Sequence, residues 1–209
     1  MALLYANKVS QAFVAKIIGI SQELPATVPD WLMFAMNLET GGTFSPSIKN
    51  PKSSATGLIQ FLSSTAQWLG TSIEELRQMT AEEQLDWVYE YMKRRQQRYG
   101  RFASYHDVYL AILYPEAIGK PDDYQLDADA SLGNLGFDVN KDKIVTVGEI
   151  KQKLDEKVRK EVPEQYWDTF FKKKKFWQLY KREIIWGSIA LGSLIVLYIT
   201  YRILYKGKK

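Results

Sequence analysis

From Ile184 to Tyr201 the chain reads IIWGSIALGSLIVLYITY, 18 residues without a charge. As a helix this run would extend about 27 Å, close to the ~30 Å hydrocarbon core of a bilayer. Trp186, Tyr198 and Tyr201 stand near its ends, where amphipathic rings favour the membrane interface. Lys181 and Arg182 precede it; Arg202, Lys206, Lys208 and Lys209 follow. The run predicts a single C-terminal transmembrane helix over 184–201 with a short basic tail over 202–209. Six Lys/Arg lie just before the span and four after it, so the positive-inside rule leans towards a cytoplasmic N-terminal part. The opening MALLYANKVSQAFVAKIIGI lacks the long apolar stretch and small-residue cleavage site of a signal peptide.

Charge is divided in the same way. Residues 1–150 carry 13 Lys+Arg and 18 Asp+Glu, whereas 151–209 carry 15 and 6. A basic region beside an apolar run is better explained by a lipid membrane than by nucleic acid. Between 161 and 183, Tyr166, Trp167, Phe170, Phe171, Phe176, Trp177 and Tyr180 interleave with lysines, which predicts a basic, aromatic juxtamembrane helix at the interface. The absence of Cys excludes disulfides, thiolate metal sites and Cys nucleophiles. The lone histidine, His106, argues against a His-based triad and is read as a partly exposed residue in a helix's first turn.

Before that tail the chain reads as mainly α. Ser72-Ile-Glu-Glu75 and Thr80-Ala-Glu-Glu83 are capping boxes. The second opens a helix through Leu85, Val88, Tyr89 and Met92 that stops at Gly100. Ser104-Tyr-His-Asp107 opens another, halted by Pro115. Pro29-Asp30 starts the apolar helix WLMFAMNL, which ends in Glu39 before Gly41 and Gly42. Leu32, Ala35 and Met36 stand one and two turns before Glu39 and set apolar surface beside its carboxyl. Desolvation raises such a carboxyl's pKa, as a general acid near neutral pH requires.

Downstream of Glu39-Thr-Gly-Gly-Thr-Phe-Ser-Pro46 come Ser53-Ser-Ala-Thr-Gly57-Leu-Ile-Gln60-Phe61 and Ser64-Thr65-Ala66. This order resembles the lytic transglycosylases of the soluble-transglycosylase, goose-type-lysozyme-like fold. That family has a Glu ending a buried helix, a Gly/Ser-rich loop, a G-L-[MI]-Q-[FI] motif and a Thr-Ala helix start. The resemblance covers about residues 10–118 and implies a lysozyme-like helical domain over 1–118. It implies Glu39 as catalytic acid/base and Gln60, with the adjoining Phe61, at the sugar cleft. Ser53 or Ser54 falls near a sugar-contacting Ser. The family's Ala-Tyr-Asn motif is absent; its nearest counterpart is Tyr109-Leu-Ala-Ile-Leu-Tyr114-Pro-Glu116, where Tyr109 or Tyr114 supplies the aromatic position. The stretch from Tyr114 to Asp123 also resembles lysozyme-like proteins of bacteriophage virions.

From Thr40 to Ile73 there is no Asp or Glu. Glycosidases ordinarily pair two carboxylates across the bond, but one suffices where the muramyl 6-hydroxyl is the nucleophile. The resemblance implies that route: cleavage of the MurNAc–GlcNAc β-1,4 bond with a 1,6-anhydro product and no cofactor. A hydrolytic muramidase and a catalytically silent wall-binding or structural membrane protein of the virion are the alternatives.

Residues 119–160 read as a Gly/Asp/Asn-rich loop, an EF-hand-like segment and a following helix. In Asp138-Val-Asn140-Lys-Asp142-Lys-Ile-Val-Thr146-Val-Gly-Glu149, oxygen side chains occupy positions 1, 3, 5, 9 and 12 of a calcium-loop frame. Lys143 stands where Gly ordinarily makes the turn. A structural calcium ion is one reading; a solvated acidic turn is the other. The loop is expected to lie away from Glu39, and truncation after about Glu161 is expected to release a soluble domain. Together these features predict a membrane-anchored, peptidoglycan-cleaving enzyme of a virus with a lipid membrane, partnered by peptidoglycan, lipid and other virion membrane or capsid proteins. Bacterial inner membrane is the alternative location.

Overall fold

The computed structural model describes residues 2–172, which gather into one compact, mainly helical unit. The predicted span 184–201, the tail 202–209 and residues 173–183 lie outside the described residues. Among those described, no helix is long and apolar enough to cross a membrane.

A short 3-10 turn (Ala6–Lys8) precedes α1 (Gln11–Glu23) and α2 (Pro29–Glu39). After a long loop come α3 (Ser63–Leu69), α4 (Ile73–Gln78), α5 (Ala81–Tyr99) and α6 (Tyr105–Leu113). Then follow α7 (Ala128–Gly133), α8 (Val147–Glu161) and α9 (Trp167–Phe171). Among the described residues, pairing between extended segments is limited to isolated bridges, such as Thr56 with Phe61 and Gln125 with Thr146.

The architecture centres on α2. Every residue from Pro29 to Asn37 is buried, as befits a helix apolar on all sides and enclosed by others. Pro29 opens it at a position that needs no N–H donor. Buried Asp30 accepts from the Leu4 amide at 2.8 Å, which ties down the N-terminal segment. Helix α1 packs on α2 and α5, and α6 packs on α2 and α8. Both capping boxes form as the sequence predicts, and Gly100 caps α5 at φ 95°. In α5, however, Tyr91 is buried where Tyr89 was expected, and Gln84 joins Leu85, Val88 and Met92 inside.

The C-terminal half departs further from expectation. Residues 128–133, read as loop, form α7, whose N-cap Asp127 accepts from the Ala130 amide at 2.8 Å. The boundary drawn at 118/119 does not separate two packing units. Leu126, Val145, Val147, Ile150 and Leu154 are all buried, because α8 presents 147, 150, 154 and 158 as one apolar stripe. The juxtamembrane reading fails for residues 161–171, whose aromatics complete the core. Tyr166 and Phe170 are buried, Phe170 packs edge-on to Phe34 of α2, and the Trp31 indole donates to the Thr169 carbonyl at 2.8 Å. Truncation after Glu161 would remove that wall of α2.

His106 is partly exposed in the first turn of α6, as the sequence predicts. Its ring lies 4.0 Å from that of Tyr105, and Nε2 meets the Asp155 carboxylate of α8 at 2.6 Å. Burial pushes its pKa down, against the opposing pull of Asp155. Tyr105 also donates to Asp155, so α6 and α8 are pinned by one carboxylate.

Candidate active site

Glu39 is the last residue of α2 and half-buried. The chain turns sharply beyond it, with Gly41 at φ 58° and Gly42 at φ 83°. Lys8 braces that turn: its Nζ donates to Asn37 Oδ1 at 3.1 Å and to the Gly42 carbonyl at 3.4 Å. Thr40 bonds back to the Met36 carbonyl (2.7 Å) and accepts from the Phe44 amide (3.0 Å), so the outgoing loop is anchored at once.

Burial pushes the Glu39 carboxyl up from 4.5 to about 7, while a hydrogen bond from the Tyr109 hydroxyl pulls it down. Among the described residues, no other charged group contributes to that shift. A second carboxylate at glycosidase spacing would add repulsion and raise it further. Tyr109 itself is buried on α6, and its own pKa is raised, first by burial and then by the Glu39 charge. Its ring packs on Phe137 at 6.0 Å. Phe137 immediately precedes Asp138, the first residue of the calcium-like segment.

The Gly57–Phe61 motif is held from below by α5. Gln84 is fully buried; its Oε1 accepts from the Leu58 amide at 2.6 Å, and its Nε2 donates to the carbonyls of Pro46 and Leu76 at 2.9 and 2.8 Å. Gly57 has φ +75°, and a Cβ there would meet Gln84 Oε1 at 2.3 Å. Both facts require glycine. Gln60 sits at φ 52°, half-buried, with its amide on the Gly57 carbonyl at 3.2 Å. Phe61 is buried and packs edge-on to Tyr91. Gln60, Phe61 and Tyr91 border a pocket of about 50 Å³. Burial raises the Tyr91 pKa most; among the smaller influences is the Glu39 charge, which also raises it.

The remaining predicted contacts are less central. Ser53 Oγ accepts from the Ala55 amide and Ser54 Oγ from the Ser63 amide, so both shape the loop. The Tyr114 hydroxyl donates to Asp127 at 2.9 Å. Tyr109, not Tyr114, carries the contact with Glu39.

In the 138–149 loop, Asp138 accepts from the amides of Lys141 (2.7 Å) and Lys143 (2.9 Å). Asn140 accepts from the Asp142 amide and Asp142 from the Ile144 amide. Lys143 adopts φ 69°, the turn the frame requires, despite its side chain. Thr146 and Glu149 form a capping box for α8, and Glu149 also accepts from the amides of Val139 and Asn140. Desolvation alone would raise the Glu149 pKa, but these hydrogen bonds outweigh it and lower the value. Among the described residues, no three His, Cys, Asp or Glu side chains are gathered closely enough to hold a metal ion.

Sequence reasoning missed Gln84, Tyr91 and Arg95. Their spacing puts them on one face of α5, but two are polar and so do not register as core. The chain matches no protein-family model, no curated protein and no solved structure.

Proposed function

We propose that this chain is a peptidoglycan lytic transglycosylase that uses Glu39 as its sole acid/base. One observation carries the reading: a half-buried carboxyl at the end of the central helix, raised to about 7 by desolvation, with no charged neighbour among the described residues contributing to the shift. Neutral Glu39 gives its proton to the glycosidic oxygen as the bond to the muramyl anomeric carbon breaks. The resulting carboxylate takes the proton of the muramyl 6-hydroxyl, whose oxygen closes on that carbon. Glu39 ends protonated, the product is a 1,6-anhydro sugar, and no water is consumed. Tyr109 orients the carboxyl and steadies its charged form. The charge-free run at 184–201 and its basic flanks support a further part of the proposal, attachment to a virion membrane for breaching a host wall. The turn at Lys143 supports calcium binding at 138–149 as a structural adjunct.

Digestion of purified peptidoglycan followed by mass spectrometry tests the proposal. Anhydro-muropeptides are expected, with at least a ~10²-fold loss in Glu39→Gln. Reducing-end products would assign a hydrolase. Absence of any cleavage would leave the domain a wall-binding or structural component.

A further inference from the structure

Gln84 stands in the first turn of α5, directly behind the Thr80–Glu83 capping box, and its backbone amide donates to the Thr80 carbonyl at 3.0 Å. Its side chain is fully buried and fully used. Nε2 donates to the carbonyls of Pro46 and Leu76, and Oε1 accepts from the Leu58 amide. One amide thus gathers the loop that leaves Glu39, the Gly57–Phe61 motif and α4. The head supplies two donors and an acceptor without a charge, as a site closed to water requires.

The grip on Leu58 reaches beyond Leu58. That N–H belongs to the same peptide unit as the Gly57 carbonyl. The unit is planar, so a hold on the N–H also aims the carbonyl. The Gly57 carbonyl accepts from the Gln60 backbone amide at 3.1 Å and from Gln60 Nε2 at 3.2 Å. Gln60 is thereby kept at φ 52°, a left-handed backbone that a side chain disfavours. With Nε2 engaged, Gln60 Oε1 has no partner among the described residues, and Gln60 lines the small pocket together with Phe61 and Thr65. Elsewhere in the turn, the Gly57 amide donates to the Ile48 carbonyl at 2.9 Å, and Thr56 and Phe61 exchange backbone bonds at 3.1 and 2.8 Å. The turn therefore moves as one piece on its Gln84 support.

Glu39 is set by other groups. Tyr109 bonds its carboxyl, and Lys8 and Thr40 hold the turn beyond it. The acid and Gln60 rest on separate supports: α6 and the N-terminal segment for one, α5 for the other. We infer that Gln84 is a positioning residue for the glycan. Through the Gly57–Leu58 peptide it sets Gln60, and so governs how tightly a strand is held while leaving the acid unchanged. That role rests on the glycan reading given above and adds to it a division between binding and proton transfer.

The test is steady-state cleavage of soluble, uncrosslinked peptidoglycan strands by the full chain in detergent micelles. Gln84→Met should raise KM about three- to tenfold, the scale of one hydrogen bond to the sugar. The kcat per folded molecule should stay within about twofold of wild type, as expected when only binding is lost, and its alkaline limb should stay in place. Gln60→Ala should raise KM by a similar factor, and Gln84→Met should add little in that background. Gly57→Ala presses a Cβ onto Gln84 Oε1; it should raise KM likewise, and it decides the matter if Gln84→Met does not fold. A merely structural Gln84 gives the opposite split, with fewer folded molecules and hence a lower apparent kcat at unchanged KM. That result, or full additivity with Gln60→Ala, overturns the assignment alone. A wild type that leaves the strands intact overturns the transglycosylase reading and the assignment with it.

Discussion

Replacing Glu39 by Gln should stabilise the protein at alkaline pH while it removes activity. The reasoning follows from linkage. The carboxyl titrates at 4.5 when exposed and at about 7 in the fold. Below 4.5 both folded and unfolded chains hold the proton, and the group contributes nothing to the pH dependence. As pH rises from 4.5 to 7, the unfolded chain releases the proton first, so folding loses stability. Above 7 the loss is complete and constant. A rise from 4.5 to about 7 corresponds to roughly 3 kcal/mol; solvent access to a half-buried carboxyl reduces this to about 2 kcal/mol. Glutamine never ionises, so Glu39→Gln escapes the loss. Thermal melts followed by circular dichroism should show nearly equal Tm values at pH 4. At pH 8.5 the variant should melt higher by about 4–8 °C, the shift expected for a chain of this size. The proposed transglycosylase activity should fall as pH rises through about 7, since only the protonated form can serve as the acid. A variant that melts lower at both pH values, or a difference independent of pH, would refute the proposed environment of Glu39.

Tyr109→Phe removes the hydrogen bond that favours the Glu39 carboxylate, so the alkaline limb of the pH–activity profile should move upward; an unmoved limb would separate Tyr109 from the acid. Gly57→Ala forces a Cβ into Gln84 at φ +75° and should cost about 2 kcal/mol or more, measured by denaturant unfolding, with partial relief from Gln84→Ala. A chain ending at Lys172 should fold and cleave peptidoglycan, whereas one ending at Glu161 should aggregate or melt far lower, because it exposes Trp31 and Phe34; equal melting would dismiss the role of α9. Millimolar calcium should raise the Tm, and Lys143→Gly should strengthen the effect by relieving the turn at φ 69° and removing a positive charge; indifference of both proteins to calcium and chelator would mark the segment as an acidic turn.

Local chemistry was the legible part of this fold. Ser72 with Glu75, and Thr80 with Glu83, announce helix starts because each pair satisfies orphan amides within four residues. The enclosure of α2 was legible because its apolar residues occupy every face. Thr146 and Glu149 show how one signal supports two readings: their spacing fits calcium ligands, and in the structure they cap α8. Contacts made across long sequence separations left no comparable mark. Gln84 is buried only because three backbone groups from distant segments surround it. Phe170 and Tyr166 resemble interfacial aromatics in sequence, and only the groove beside α2 decides otherwise. Arg95 reads as one more cation in a helix's basic last turns until Trp68, 27 residues earlier, closes over it.

The hydrogen bond from Trp31 to Thr169 joins residues 138 apart. Such a closure carries a large loop entropy and comes late in folding. During synthesis, α2 emerges early, yet the strip containing Trp31 and Phe34 stays uncovered until nearly the whole folded unit has left the ribosome. Until then the nascent chain offers an apolar face to any passing partner, the condition that recruits chaperones and favours aggregation. The final turn of the unit therefore acts as a completion check: maturation of the helix that bears Glu39 waits on the arrival of Phe170.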